Sequence, residues 1–102
     1  MGKPAFSICI PNYNYARYLG ETIRSVLDQT YPYFEIVVVD NASTDDSVQV
    51  VESFRSDRIS LYRNEYNVGF PPNLDRAAGR ATHPYIVMLS SDDLIRPRAL
   101  EE

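Results

Sequence analysis

Asp92 and Asp93 stand side by side at the end of an apolar run, "YIVMLSSDD", and Asp40 closes another, "FEIVVVD". Adjacent carboxylates are hard oxygen donors. They suit Mg²⁺ or Mn²⁺, which bind through one or two protein carboxylates and complete their shell with substrate phosphates. An acidic crevice without such a cation would repel phosphate. A lone carboxylate at a strand end does different work, accepting hydrogen bonds from a ribose or a base. Tyr13, in "PNYNY", offers an aromatic face for a base to lie against. Each residue also has a plain structural account. Asp92 and Asp93 can form a solvated turn before a helix, Asp40 can cap the helix that follows it, and Tyr13 can simply pack or face solvent. His83, in the helix-breaking "THP", carries no evident chemistry, and "YNYARY" reads as a partly buried helix start.

The elements that hold these residues are legible from periodicity. Phe6 to Ile10 reads as a strand stopped by Pro11. Leu19, Ile23, Val26 and Leu27 then recur at helical spacing, and Pro32 marks the end of that segment. "FEIVVVD" is an apolar run that suits a strand buried on both faces of a parallel sheet. In "NASTDDSVQVVESFRS", Ser43 is the expected N-cap, Asp46 its capping-box partner, and Val48, Val51 and Phe54 the inward stripe. "RISLYR" is a shorter, alternating strand. Gly69 sits in a loop where positive φ is useful. A third helix is expected over residues 73–81, with Pro72 near its first turn. "YIVML" is a fourth strand, expected to be buried like the second. A further helix is expected to begin at Pro97, with Glu101 and Glu102 in a frayed stub.

The chain has 102 residues, enough for one modest domain, and 44% of them are hydrophobic, enough for a packed core. A formal net charge of −4, with both signs mixed along the chain, argues against a nucleic-acid surface. No apolar run approaches membrane-spanning length. The opening "MGKPAFSICIP" is too short an apolar stretch for a secretory signal, and Phe6 stands where a Gly2 lipidation signal needs Ser or Thr. Cys9 is the single cysteine, which excludes a disulfide framework and a thiolate metal site. It reads as a small buried apolar residue. A cytoplasmic setting is expected, or the cytoplasmic face of a membrane for a longer parent protein.

The order β-α-β-α-β-α-β implies right-handed crossovers and an α/β fold: a Rossmann-like, mostly parallel sheet with helices on both faces. Ligands of such sheets bind beyond the carboxyl ends of the strands, where strand order switches. An order 3-2-1-4 would bring the loops after the first and fourth strands into one crevice, with Asp40 one strand away. The acids are therefore expected to meet around one pocket.

"SICIPNYNYARYLGETIRSVLDQTYPYFEIVVVDNASTDDS" closely resembles the start of family-2 glycosyltransferases of the GT-A fold, and "NEYNVGFPPNLDRAAGRATHPYIVMLSSDD" resembles the stretch leading to their Asp-x-Asp metal motif. The resemblance covers essentially residues 1–102, as the nucleotide-sugar-binding portion of such a domain without its acceptor-binding half. It implies inverting transfer of a sugar from a nucleotide-diphosphate donor, most often a UDP-sugar, to an acceptor hydroxyl on a glycan or lipid-linked sugar, as in cell-envelope polysaccharide synthesis. It implies that Pro11 and Tyr13 line the base pocket and that Asp40 contacts the base. Asp92 would contact the donor ribose or the metal, and Asp93 would coordinate the Mn²⁺ or Mg²⁺ bridging the diphosphate. Two departures stand out. Ser90 replaces the first acid of the family's Asp-x-Asp-Asp, which leaves metal binding to Asp92 and Asp93. His83 stands where the family prefers Gly, a matter of helix termination. The family's catalytic base lies beyond the metal motif, so none is assigned here, and the 102 residues alone are expected to be inactive in transfer and prone to self-association.

Two other classes compete. A dinucleotide-dependent oxidoreductase fits Asp40 as a ribose-binding acid, but the first turn has no glycine before Gly20 and G-x-G-x-x-G is missing. A non-catalytic nucleotide-binding or interaction module would keep the fold alone. Metal dependence of nucleotide binding separates the first reading from both.

Overall fold

A computed structural model describes residues 3–101; Gly2, set aside above as a lipidation site, and Glu102 lie outside the described residues. The elements are β1 (Phe6–Asn12), α1 (Ala16–Leu27), β2 (Phe34–Asp40), α2 (Ser47–Glu52), β3 (Ile59–Arg63), α3 (Phe70–Gly79) and β4 (Tyr85–Met88), then a 3₁₀ turn over Ala99–Glu101. All pairings are parallel, as the alternation predicts, and the strand order is β3-β2-β1-β4, the order under which the loops after the first and fourth strands share a crevice. The order reverses at β1, which leaves a crevice between the loops after β1 and β4.

Alternate residues of the two central strands feed two layers. Ile8, Ile10, Ile36 and Val38 point to α1 and α2 and pack with Leu19, Ile23, Val26 and Val51. Cys9, Val37 and Val39 point the other way, onto Ala77 of α3. Each fully buried Ile or Val contributes about 1.5–3 kcal/mol over its exposed state, so the β1–β2 centre anchors the fold. Cys9 is fully buried, its Sγ lies 3.5 Å from the Ala77 carbonyl, and burial followed by the charge of Glu35 raises its pKa to about 11. It is a packed residue, not a nucleophile.

Several expectations change. β1 runs through Pro11 to Asn12. The Leu89 amide donates to the Cys9 carbonyl, so odd residues of β1 turn their backbone toward β4, and that ladder ends at Cys9–Met88. Pro11 therefore sits where no partner needs its missing N–H. β4 is not buried like β2: Tyr85, Ile86 and Met88 are 54%, 47% and 41% exposed. It is an edge strand, and α3 packs over β1 and β2 rather than over it. Helix α3 begins at Phe70, before the expected start, because Gly69 at φ 90° turns the chain and both prolines fit the first turn, where N–H groups have no helical partner. The expected capping box on α2 does not form. Asp46 holds the N-cap position without a side-chain bond, and Ser43 is engaged elsewhere.

The segment after β4 is not frayed up to Glu101. Polar residues of α1 and of the turn after it hold it in sequence order: Thr22 Oγ1 donates to the Ser91 carbonyl (2.9 Å), Ser25 Oγ accepts the Ile95 amide (3.2 Å), and Gln29, two residues past the helix, donates to Arg96 O and accepts the Leu100 amide. Leu100 is buried against the α1 layer.

Candidate nucleotide and metal site

Two loops at the carboxyl edge are bound into one unit. Asn14 adopts φ 56°, and its Oδ1 accepts the Thr44 and Asp45 amides at 2.8 and 3.3 Å. The Asn14 amide donates to Ser43 Oγ at 2.9 Å. Asp45 ties the two helix starts together: Oδ2 accepts the Ala16 amide at the head of α1, and Oδ1 accepts both the amide and hydroxyl of Ser47 at the head of α2. Desolvation pushes the Asp45 pKa up, but the Ser47 and Ala16 hydrogen bonds outweigh it and hold the carboxyl below its usual range.

A third loop is fixed to these by asparagines. Asn41, at the end of β2, accepts the Val68 amide and Asn64 Nδ2, and donates to Asn67 Oδ1 and Gly69 O. Asn73 of α3 donates to Val39 O and accepts from Asn64. The β3–α3 loop is thereby pinned over β2.

These loops and the Ser90–Asp92 turn enclose a crevice of about 740 Å³, within the range of small-molecule sites. A wider, shallower depression of about 950 Å³ lies between α1 and α2. It contains none of the candidate residues, so the carboxyl-edge crevice is the better site on chemical grounds.

Of the predicted residues, Pro11, Tyr13 and Asp92 line the crevice. Tyr13 is 42% exposed, which leaves a ring face open. Asp92 and Asp93 are both exposed, and Asp93 lies outside the lining, its amide closing a turn onto the Ser90 carbonyl. Asp40 is buried behind the floor: Oδ1 accepts Asn12 Nδ2 (2.9 Å) and Ser43 Oγ (2.6 Å), and Oδ2 accepts the Ser43 amide (2.9 Å). Asp40 thus braces its own loop rather than capping α2. Sequence reasoning passed over Asn12, Asn14 and Asn41, although four asparagines in "PNYN" and "DN…NVG" surround the predicted pocket.

Among the described residues no group of three or more His, Cys, Asp or Glu side chains could hold a metal alone. The exposed Asp92–Asp93 turn still fits Mg²⁺ or Mn²⁺ in the manner expected when a substrate diphosphate supplies the remaining oxygens.

Comparison with known proteins shows the family and the fold. Residues 7–102 match the family model described as Glycosyl transferase family 2. The chain is 34% identical over 102 residues to TuaG of Bacillus subtilis (strain 168), a protein named for teichuronic acid biosynthesis; the match takes in 98% of this chain and 40% of TuaG. Staphylococcus aureus TarS 1–349 in complex with UDP superposes with a TM-score of 0.90 at 34% identity, over 95% of this chain and 30% of that one. The mannosyltransferase PcManGT of Pyrobaculum calidifontis, in complex with GDP-Man and Mn²⁺, gives 0.83 at 29% identity, over 92% and 29%. The chain spans about two fifths or less of the length of these relatives.

Proposed function

The chain belongs to glycosyl transferase family 2, and from that premise we propose that it forms the donor-nucleotide and metal site of an inverting sugar transferase that uses a UDP-sugar. The observation that carries the reading is the crevice itself, with Pro11, Tyr13 and Asp92 on its walls and Asp40 bracing its floor. The UDP and UDP-GlcNAc complexes of the similar TarS support the choice of nucleotide.

Each residue has a role in the proposal. Tyr13 offers its open ring face to the base, and Pro11 lines the pocket beside it. Asp40 holds the loops that form the base pocket. Asp92, on the crevice wall, and Asp93, in the turn beside it, would hold Mn²⁺ or Mg²⁺ jointly with a bound diphosphate. The cation, when bound, neutralises charge on the departing diphosphate. The α1 ladder of Thr22 and Ser25, continued by Gln29 just past the helix, keeps the Asp92–Asp93 turn in place. Deprotonation of an acceptor hydroxyl needs a positioned base, and Asp92 is the one carboxylate on the described crevice lining. The 102 residues alone are therefore proposed to bind a donor without transferring its sugar. The acceptor is proposed to be an envelope glycan or its lipid-linked precursor, used on the cytoplasmic side.

Calorimetry of UDP binding with Mn²⁺, with Mg²⁺ and with EDTA tests the proposal. Binding is expected with either cation and is expected to fall sharply with EDTA. Affinity indifferent to the chelator would overturn the joint metal–diphosphate site.

A further inference from the structure

We infer that the groove between α1 and α2 is a docking surface for a partner protein, which it engages through a basic amphipathic helix. The inference is independent of the donor-site reading.

The groove is the depression of about 950 Å³ described above. Gly20, Arg24 and Asp28, a stripe of α1 and its C-cap at helical spacing, form one wall. Asp46, Val50 and Phe54, spaced alike along α2 and the turn after it, form the other. Both helices connect parallel strands and pack on the same face of the sheet, so they run side by side in one direction. Each stripe rises about 12 Å, roughly two turns of a helix laid beside it. The floor is apolar. Gly20 adds no side chain to it, Val50 and Phe54 are half-buried, and Leu94, also on the lining, is 64% exposed.

The rim is acidic. Glu21, Asp28 and Asp46 are exposed lining residues. None has an ionic partner, since the one ion pair among the described residues joins Arg98 to Glu101. Asp46 makes no side-chain cap bond to α2 either. Arg24 is the one cation on the described lining, and its guanidinium lies over the Phe54 ring, 5.2 Å from the centroid. Its charge is satisfied by the ring face and not by an acid.

These features choose among occupants. A shallow apolar trough between two helices suits a helix, whose anchors recur at i, i+3, i+4 and i+7. A small molecule would be left largely uncovered in it. Three unpaired carboxylates call for Lys or Arg on the flanks of that helix. They would repel an anionic lipid surface. A second copy seated groove to groove would set acid against acid, and each copy carries a net charge of −4.

The test uses a fluorescent peptide of about 18 residues, long enough to hold a helix, with Leu along one face and Lys on the other. A twin carries Glu for every Lys. Anisotropy measures binding to the chain at low and high salt, with circular dichroism to check each variant's folding. The Lys peptide is expected to bind, and to bind less well as salt rises. The Glu twin should bind at least about tenfold more weakly. Glu21→Lys/Asp28→Lys should weaken the Lys peptide about tenfold, because two attractions become repulsions. Glu65→Lys/Asp75→Lys makes the same change in net charge at exposed positions outside the groove. It should leave the affinity within about twofold at physiological salt. Gly20→Leu fills the floor and should weaken the Lys peptide as much as the groove charge variant does. Gly20 lies inside α1, where glycine is a poor helix former, and a Cβ there meets Val50 Cγ1 at 3.6 Å, an ordinary contact.

Absence of Lys-peptide binding overturns the inference. Equal losses in the two charge variants overturn it as well, because net charge alone would then explain the binding. Unchanged affinity in a folded Gly20→Leu would place the peptide elsewhere. Cosedimentation with vesicles of anionic phospholipid, abolished by Gly20→Leu, would assign the groove to a membrane instead. If Gly20→Leu does not fold, the two charge variants decide alone.

Discussion

Thr22→Val exchanges a hydroxyl for a methyl group in the interior and preserves the side-chain shape. Thr22 is fully buried, and its Oγ1 donates to the Ser91 carbonyl at 2.9 Å, with a weaker approach to Tyr18 O at 3.3 Å. The Tyr18 carbonyl retains the regular helix bond from the Thr22 amide. The Ser91 carbonyl has no such reserve, and Ser91 is 3% exposed, so water cannot replace the lost donor. An unmet buried acceptor costs about 1–3 kcal/mol. A central value of about 2 kcal/mol corresponds to a fall of roughly 8–16 °C in Tm for a domain of this size. Urea unfolding followed by circular dichroism measures it directly, with Thr22→Ser as the control that keeps the hydroxyl. The Asp92–Asp93 turn begins one residue beyond Ser91, so Mn²⁺-dependent UDP affinity should fall in Thr22→Val at temperatures where the variant is still folded. Equal unfolding midpoints for the valine and serine variants would refute the reasoning, because the hydroxyl would then contribute nothing. A stability loss with unchanged UDP affinity would detach the α1 ladder from the site.

The remaining predictions concern the acids and the sheet edge. Asp93→Asn should abolish the metal dependence of UDP binding, while Asp40→Ala should weaken binding and leave that dependence in place; calorimetric titrations behaving alike in both variants would count against separate roles. Glu35 is desolvated, which raises its pKa, but bonds from Ser7 Oγ, the Thr82 amide and Thr82 Oγ1 hold its carboxyl below the usual range. Its contribution to stability is complete above the unfolded value of about 4.3 and is lost as pH falls through the lower folded value. Acid titration of urea midpoints should therefore show a steeper decline below about pH 5 for the unaltered chain than for Glu35→Gln, and parallel curves would contradict this. β4 carries exposed Ile86 and Met88 on an edge strand, and such edges recruit other chains. Light scattering should find concentration-dependent association, reduced in Ile86→Lys/Met88→Lys, and a strict monomer at high concentration would oppose it.

The succession of elements and the parallel sheet followed from periodicity and connection handedness, which are local properties of "FSICI", "FEIVVVD" and the apolar spacing of α1, whereas the strand order β3-β2-β1-β4 was decided by the tertiary structure. The two acidic strand ends and Tyr13 were legible because the carboxyl edge of a parallel sheet is a fixed place once the order is known. Burial of β4 was not legible. "YIVML" and "IVVV" have the same local pattern; the strand order makes one an edge and the other a centre, and the position of α3 over β1 and β2 leaves β4 uncovered. The capping of α2 misled for a related reason. Ser43 suited an N-cap by its neighbours in sequence, yet Asp40, Asn12 and Asn14 claim its hydroxyl and amide in three dimensions. The state of Asn12 lay furthest from the sequence. Its nitrogen is oriented by a carboxylate 28 residues away, and its oxygen is left bare by the packing around it. Apolar periodicity is written along the chain because each side chain's facing follows from its own backbone. Hydrogen-bond partnership is not, because a polar atom's partner is whatever the fold brings within about 3 Å.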